Sequence, residues 1–504
     1  MRLRLLETLS TLLAVTMCCT ANAQLMPAEG RFLHYRIIGF TIPKDDVASG
    51  YTLEIAQGEY SNSDSFSKHI ISTLTSKSNR IVAEVPAFGA TYSWRMKGIS
   101  GKNKKQEAAE IHHFSTLMIP EVDSTLYRLR IIKAAQKYKD GYVMAAGNKV
   151  MYDMKGKPVW FLPDLKGKDA PVFDMKLSQR STLTCLFNNY PYEVNYEGMV
   201  LWLAPNDGKV SGDSIERYHH EFTKLSNNHY MVLGNAMNKA YLPANDSTPN
   251  IMFGTLIEYD QSGNVVWSWK SAPYFQHNDF RNFVPCNIPN PNVKVALDPH
   301  ENGFYFDEKN KVIYLSCKNI SRIIKISYPG GKIINAYGEQ FKEGHLAEDH
   351  YLFSQQHNPG KSSDGYFMIF NNGTYNFKPG IPKIMLLAEN KPTKNNMQTV
   401  WEFDFGKECG FSQKYSGGGN MKELPDRSFF VSTGQAFGEF FIIDRNKKIL
   451  WRAAHEKKNL EKNNWEPVSN YRAEMILSKK ELEKLIWSTL EHKKDYSSKK
   501  NTRK

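Results

Sequence analysis

Three stretches of this chain set histidine immediately before a strand, a turn and a second strand. Tyr218-His219-His220-Glu221 precedes the first, Pro299-His300-Glu301-Asn302 the second, and Gln356-His357-Asn358 the third. In each case a turn carrying Asn or Asp follows and the second strand ends near Asn. A single histidine is ordinarily structural. Three in register across consecutive repeats are harder to ascribe to packing, because no β core requires imidazole. Neutral imidazole is a competent nucleophile, and it can also carry a proton near neutral pH.

Such residues act together only if repeated elements deliver them to one place. From about residue 125 a unit of two hairpins recurs. Its second hairpin often closes on tryptophan, as in the segments ending at Trp160, Trp267, Trp401 and Trp451. The first hairpins are GYVMAAGN, STLTCLFNN, NHYMVLGN, KVIYLSCKN, GYFMIFNNG and SFFVSTG. Six copies of four strands around an axis predict a six-bladed β-propeller, whose channel mouth gathers strand-start residues from several blades. The closing tryptophans are expected in blade cores. The run SNYRAEMIL at 469–477 is a candidate for the strand that closes the ring.

Residues 24–118 carry short alternating runs such as Tyr51–Ile55 and Thr91–Lys97, the pattern of a small β-sandwich with Trp94 as core aromatic. His112 and His113 are neighbours on one strand, so alternation sends them to opposite faces and favours a structural role. The expected organisation is a signal peptide over 1–23, the sandwich over 24–118, the propeller over 119–477, and a C-terminal helix and basic tail over 478–504. The helix is capped at Ser478, with Leu482, Leu485, Ile486 and Leu490 on one face.

Arg2 and Arg4, the apolar run from Leu12 to Met17 and Ala21-Asn22-Ala23 read as an export signal, implying a periplasmic protein. Cys18 and Cys19 would permit lipid attachment instead, but Val15-Thr16-Met17 is a poor approach to a lipidated cysteine. No stretch predicts a membrane span. Cys185, Cys286, Cys317 and Cys409 are widely spaced and form no metal or redox motif. The formal charge of +13 is concentrated partly in the tail, at Lys493, Lys494, Lys499, Lys500, Arg503 and Lys504. Export argues against a nucleic-acid partner, and no phosphate loop or dinucleotide fingerprint is visible, so no cofactor is expected. A homodimer is compatible with the sequence.

The three histidine motifs together resemble those of the bacterial arylsulfate sulfotransferases, over nearly all of the mature chain. The resemblance implies an exported six-bladed propeller with an N-terminal β-sandwich resembling fibronectin type III. It implies transfer of a sulfuryl group from a phenolic sulfate to a phenol, through a sulfated histidine and without a nucleotide donor. By motif the nucleophile falls on His357, with supporting positions on His220 and His300; His219 matches less well than His220. The family's arginine falls on Lys318, in Leu315-Ser-Cys-Lys318, with Arg322 a nearby substitute. Lysine offers a point charge where arginine offers a planar fork, which bears on the donor accepted and on the rate. The chemistry agrees. A covalent intermediate divides a difficult displacement at sulfur, and convergent His and Lys meet the negative sulfuryl oxygens.

Asn302 and Asn358 flank the histidines and are candidates for binding substrate or orienting imidazole. Ser416-Gly-Gly-Gly-Asn420 occupies the corresponding place in the sixth unit, where glycine permits close backbone approach or a tight turn. His229 is read as a turn residue, His277 as a loop residue, and His345 and His350 as lying before the His357 strand. Glu221 and Glu301 should face away from the histidines by strand alternation. Two alternatives stand beside sulfuryl transfer: a metal-dependent propeller hydrolase using the histidines, and a non-catalytic ligand-binding propeller.

Overall fold

The computed structural model describes residues 25–99, 109–165, 170–241, 246–275, 279, 284–287, 295–338, 352–374, 378–389 and 397–500. The export signal with Cys18 and Cys19, and His277, His345 and His350, lie outside the described residues, as do the side chains of Cys286 and of the basic tail. The fold is all-β, built of many sheets in a propeller-like arrangement, with few helices. The chain divides into two compact units.

The smaller unit comprises residues 38–85 and 89–115 with the segment before Leu33. A five-stranded sheet runs in the order Arg31–Leu33, His112–Thr116, Thr91–Ile99, Gly50–Gln57, Ile70–Ser76, and Ile37–Thr41 pairs with Arg80–Glu84. The period-two pattern buries one face of each central strand. Trp94 is wholly buried and meets Phe40 edge-on, while Tyr92 stacks on Phe114. His112 packs against Trp94, and His113 reaches the carbonyl of Tyr60.

Among the described residues of the larger unit six sheets follow one another, each with a four-stranded antiparallel path. The first contains Tyr142–Ala145, Val150–Asp153 and Pro158–Phe161. The late strand Ala473–Ile476 pairs antiparallel with Tyr142–Ala145 and completes this sheet. The third begins at Arg217–Lys224, the fourth at Glu301–Asp307, the fifth at His357–Lys361 and the sixth at Asn420–Glu423. Apolar clusters fill the spaces between neighbouring sheets; one joins Leu233 and Leu256 to Leu315 and Ile324.

The closing tryptophans divide. Trp160 and Trp451 are wholly buried. Trp267 and Trp401 are half-buried and send their indole N–H to the carbonyls of Pro329 and Arg445. The helix Lys479–Lys500 buries Leu482, Leu485 and Ile486, and Ser478 Oγ accepts from the N–H of Glu481.

Candidate active site

The histidines sit where strand pairing breaks. Register shifts fall between Tyr218 and Phe222, between Glu301 and Gly303, and between His357 and Gly360. His220, His300 and Asn358 adopt φ of 59°, 58° and 50°. Left-handed backbone at a non-glycine residue costs roughly 1–3 kcal/mol and persists only where its surroundings enforce it. The bulges re-aim side chains that plain alternation would send elsewhere.

His219 and His220 approach through their Nδ1 atoms at 2.7 Å. The ring of His220 lies edge-on to that of His300, centroids 4.8 Å apart. Tyr471 links His220 to His357, meeting each ring edge-on at 5.6 and 5.8 Å. Burial, reinforced by the neighbouring histidines, holds His220 far below the ordinary imidazole range. Burial lowers His219 to about 4. His357 is only 1% exposed, and burial and the Lys318 charge depress its pKa strongly. These rings are therefore neutral at neutral pH. His300 sets its Nδ1 against the carboxylate of Asp298 at 2.9 Å, and its backbone N–H donates to the same carboxylate at 2.6 Å.

Around His357 the polar contacts are close. Nδ1 lies 3.1 Å from the carbonyl of Gln355, and the N–H of Gly418 donates to Nε2 at 3.2 Å. The Nδ1–H tautomer satisfies both and leaves a lone pair on Nε2. Asn372 lies 2.8 Å from Nδ1 and donates to the carbonyls of Gln355 and Gly418. Lys318 donates its backbone N–H to the carbonyl of His300, and burial lowers its side-chain pKa. Arg322 is engaged elsewhere, bonded to Asp279 at 2.8 Å.

Some expected roles fall differently. Asn302 Nδ2 donates to the carbonyl of Gln356, and Asn358 Oδ1 accepts from the N–H of Met421. These amides brace adjoining sheets, and the amide beside the His357 ring is that of Asn372. Glu221 does turn away from the cavity, to Arg472 at 2.5 Å and to Lys176. Glu301 borders, with His300, a cavity of about 410 Å³, and its carboxyl is buried, accepting from the hydroxyl of Ser271 at 2.6 Å. His229 has its Nδ1 on Glu258 at 2.7 Å.

Several residues of the site were not anticipated. Arg472 is buried against Glu221 and Asp174, and Lys176 pairs with both carboxylates. Burial pushes Glu221 upward, but Arg472 and Lys176 outweigh it and hold the carboxylate below its ordinary range. Asp298 could have been suspected from its place two residues before His300, and Asn372 and Gly418 from the FNNG and SGGGN runs. Nothing in SNYRAEMIL marks Tyr471 and Arg472. Among the described residues no group of three His, Cys, Asp or Glu side chains is arranged to hold a metal ion. No described helix is long and apolar enough to cross a membrane.

No curated protein matches the chain. Similar solved structures include a protein of unknown function from Bacteroides caccae, with 10% identity, TM-score 0.40, and coverage of 70% of this chain and 99% of that one. They also include apo AztD from Citrobacter koseri, at 8% identity and TM-score 0.29, covering 85% and 98% of the two chains. A Lactobacillus plantarum protein has 9% identity and TM-score 0.30, covering 67% and 99%. None of these likenesses bears on function. The arylsulfotransferase (ASST) family model matches residues 130–433, a span that includes all three histidine motifs, and the chain therefore belongs to the arylsulfotransferase family.

Proposed function

We propose that this protein moves a sulfuryl group from a phenolic sulfate donor to a phenolic acceptor by a ping-pong route in which His357 is transiently sulfated. The observation that carries the reading is a chain of ring contacts between three successive sheets: His300 meets His220, and Tyr471 meets both His220 and His357. It is supported by family membership and by the neutral state of His357, since only unprotonated imidazole has a lone pair to give.

In the first half-reaction Nε2 forms a bond to sulfur as the bond from sulfur to the aryl oxygen breaks, and the departing oxygen takes a proton. In the second the acceptor oxygen bonds to sulfur, the nitrogen–sulfur bond breaks, and the acceptor's proton is released. His220 and His300 hold sulfuryl oxygens. Lys318 supplies positive charge, and the Gly418 N–H becomes a further donor once Nε2 is engaged with sulfur. Fixed donors of this kind stabilise developing charge most where water is excluded.

We further infer that the six sheets are the blades of a propeller closed by the pairing of Ala473–Ile476 with Tyr142–Ala145, that the smaller unit is a sandwich of the fibronectin type III kind, and that the protein is exported to the periplasm. To test the reaction, the protein is incubated with a chromogenic aryl sulfate and digested. A sulfate on the peptide holding His357, discharged by added phenol, is the expected result. Sulfate on another residue, or release to water alone regardless of phenol, would overturn it.

A further inference from the structure

The strand Val295–Asp298 ends where Glu301–Asp307 is about to begin, and Pro299 and His300 link the two. Oδ1 of Asp298 accepts from the backbone N–H of His300 at 2.6 Å, the two-residue reach by which aspartate closes a turn. The turn is strapped by the residues after Cys317. The N–H of Lys318 donates to the carbonyl of His300 at 2.8 Å, the N–H of Asn319 to that of Pro299 at 3.1 Å, and the Asn319 amide to that of Asp298 at 2.9 Å. The backbone at Asp298 and at His300 is thus fixed before their side chains meet.

Closing the turn occupies one carboxylate oxygen. The other, Oδ2, lies 2.9 Å from Nδ1 of His300. A carboxylate only accepts, so Nδ1 carries the proton of that bond, and in the neutral ring the lone pair is on Nε2. Asp298 is buried, which shields the bond from water. The neighbouring carboxylate, Glu301, is turned to Ser271, which leaves Asp298 as the acid that holds the ring. The His300 side chain is 27% exposed and borders the cavity of about 410 Å³ beside the ring of His220. Among the described residues its Nε2 has no hydrogen-bond partner, so this nitrogen is the one open to a substrate.

We propose that Asp298 is a positioning residue for sulfuryl transfer, holding His300 by Nδ1 so that Nε2 can exchange the phenol proton. The role rests on the sulfuryl-transfer reading above and supplies the proton path that reading requires. His300 begins protonated on both nitrogens, its Nε2–H on a sulfuryl oxygen of the donor. In the first half-reaction the bond from His357 Nε2 to sulfur forms, the bond from sulfur to the aryl oxygen breaks, and the proton on His300 Nε2 passes to the departing oxygen. In the second the acceptor's proton passes to His300 Nε2, its oxygen bonds to sulfur, and the electron pair of the broken N–S bond returns to His357. Each time His300 is charged, the carboxylate behind Nδ1 stabilises it, as in a Ser-His-Asp triad.

The test compares wild type, Asp298→Asn, His300→Ala and the double variant. Asp298→Asn keeps an oxygen for the backbone N–H of His300 but turns an amide N–H toward Nδ1, so the turn survives while the ring is driven to its other tautomer. Each protein is loaded with sulfate from nitrophenyl sulfate, whose phenoxide leaves without a proton, and discharge of His357 to added phenol is timed. Asp298→Asn should slow discharge by about 100-fold, the scale of general acid–base catalysis. The double variant should be no slower than His300→Ala, because the carboxylate acts only through that ring. Spectra of protein labelled with nitrogen-15 in histidine should show His300 as the Nδ1–H tautomer in wild type and as Nε2–H in Asp298→Asn. Wild-type speed in Asp298→Asn, a double variant slowed by both factors together, or an Nε2–H tautomer in the wild type would overturn the role. Failure of the wild type to form sulfated His357 would overturn the sulfuryl-transfer reading itself, and this role with it.

Discussion

The backbone N–H of Gly418 donates to Nε2 of His357 across 3.2 Å, so a sixth-sheet loop caps the atom proposed to attack sulfur. The loop can come so close because Gly418 has φ of +70° and no Cβ; one built there would meet the carbonyl oxygen of Tyr471 at 2.3 Å.

Gly418→Ala should therefore fail on two counts. The left-handed backbone alone predicts about 1–3 kcal/mol of lost stability, read as a lower denaturant midpoint. Displacement of the N–H from Nε2 predicts slower sulfation of His357, read by single-turnover release of the donor's phenol.

By the motif resemblance, Lys318 stands where an arginine is expected. Its charge is a cause of the low pKa of His357, second to burial. Lys318→Ala should raise the pKa of His357, measured by NMR titration, and slow aryl sulfate turnover by roughly 100-fold, as loss of one preorganised charge-stabilising group does elsewhere. Lys318→Arg should preserve the pKa and recover turnover.

Arg472 is bonded to Glu221 at 2.5 Å and to Asp174 at 3.3 Å, all three side chains being buried. Arg472→Met leaves two buried carboxylates with Lys176 alone and should cost about 3–5 kcal/mol in denaturant unfolding. Pairing it with Glu221→Gln, which removes one of those carboxylates, should recover a large part of the loss.

His455 gives the stability a pH dependence. It is wholly buried between Asn470 and the hydroxyl of Tyr152, and burial lowers its pKa to about 4. An unfolded histidine titrates near ~6.5, so on acidification the unfolded chain takes up the proton first. The contribution is intact above about pH 6.5 and is lost as pH falls toward about 4. His219, also lowered to about 4, adds in the same direction. Denaturant midpoints should fall between about pH 7 and pH 5, and less so for His455→Gln.

Much of the architecture was legible because it is local. Short, largely apolar runs such as Leu183–Phe187 and Phe367–Asn371 become strands buried at every position, and the recurring hairpins become successive sheets. The histidine motifs were legible for the same reason, each being a short segment at the head of a strand. The register shifts and left-handed residues at the histidines, by contrast, are not written in period-two patterning.

By itself the sequence determined the strand repeats, the family, and the identity of the three histidines, all of which depend on residues within a few positions of one another. Only the tertiary structure decided what surrounds them. Arg472 meets Glu221 across 251 positions, and Asn420 donates to the carbonyl of Ala473 across 53. Such contacts arise when a late segment pairs with an early sheet, and no spacing along the chain encodes which buried charge will stand beside which imidazole.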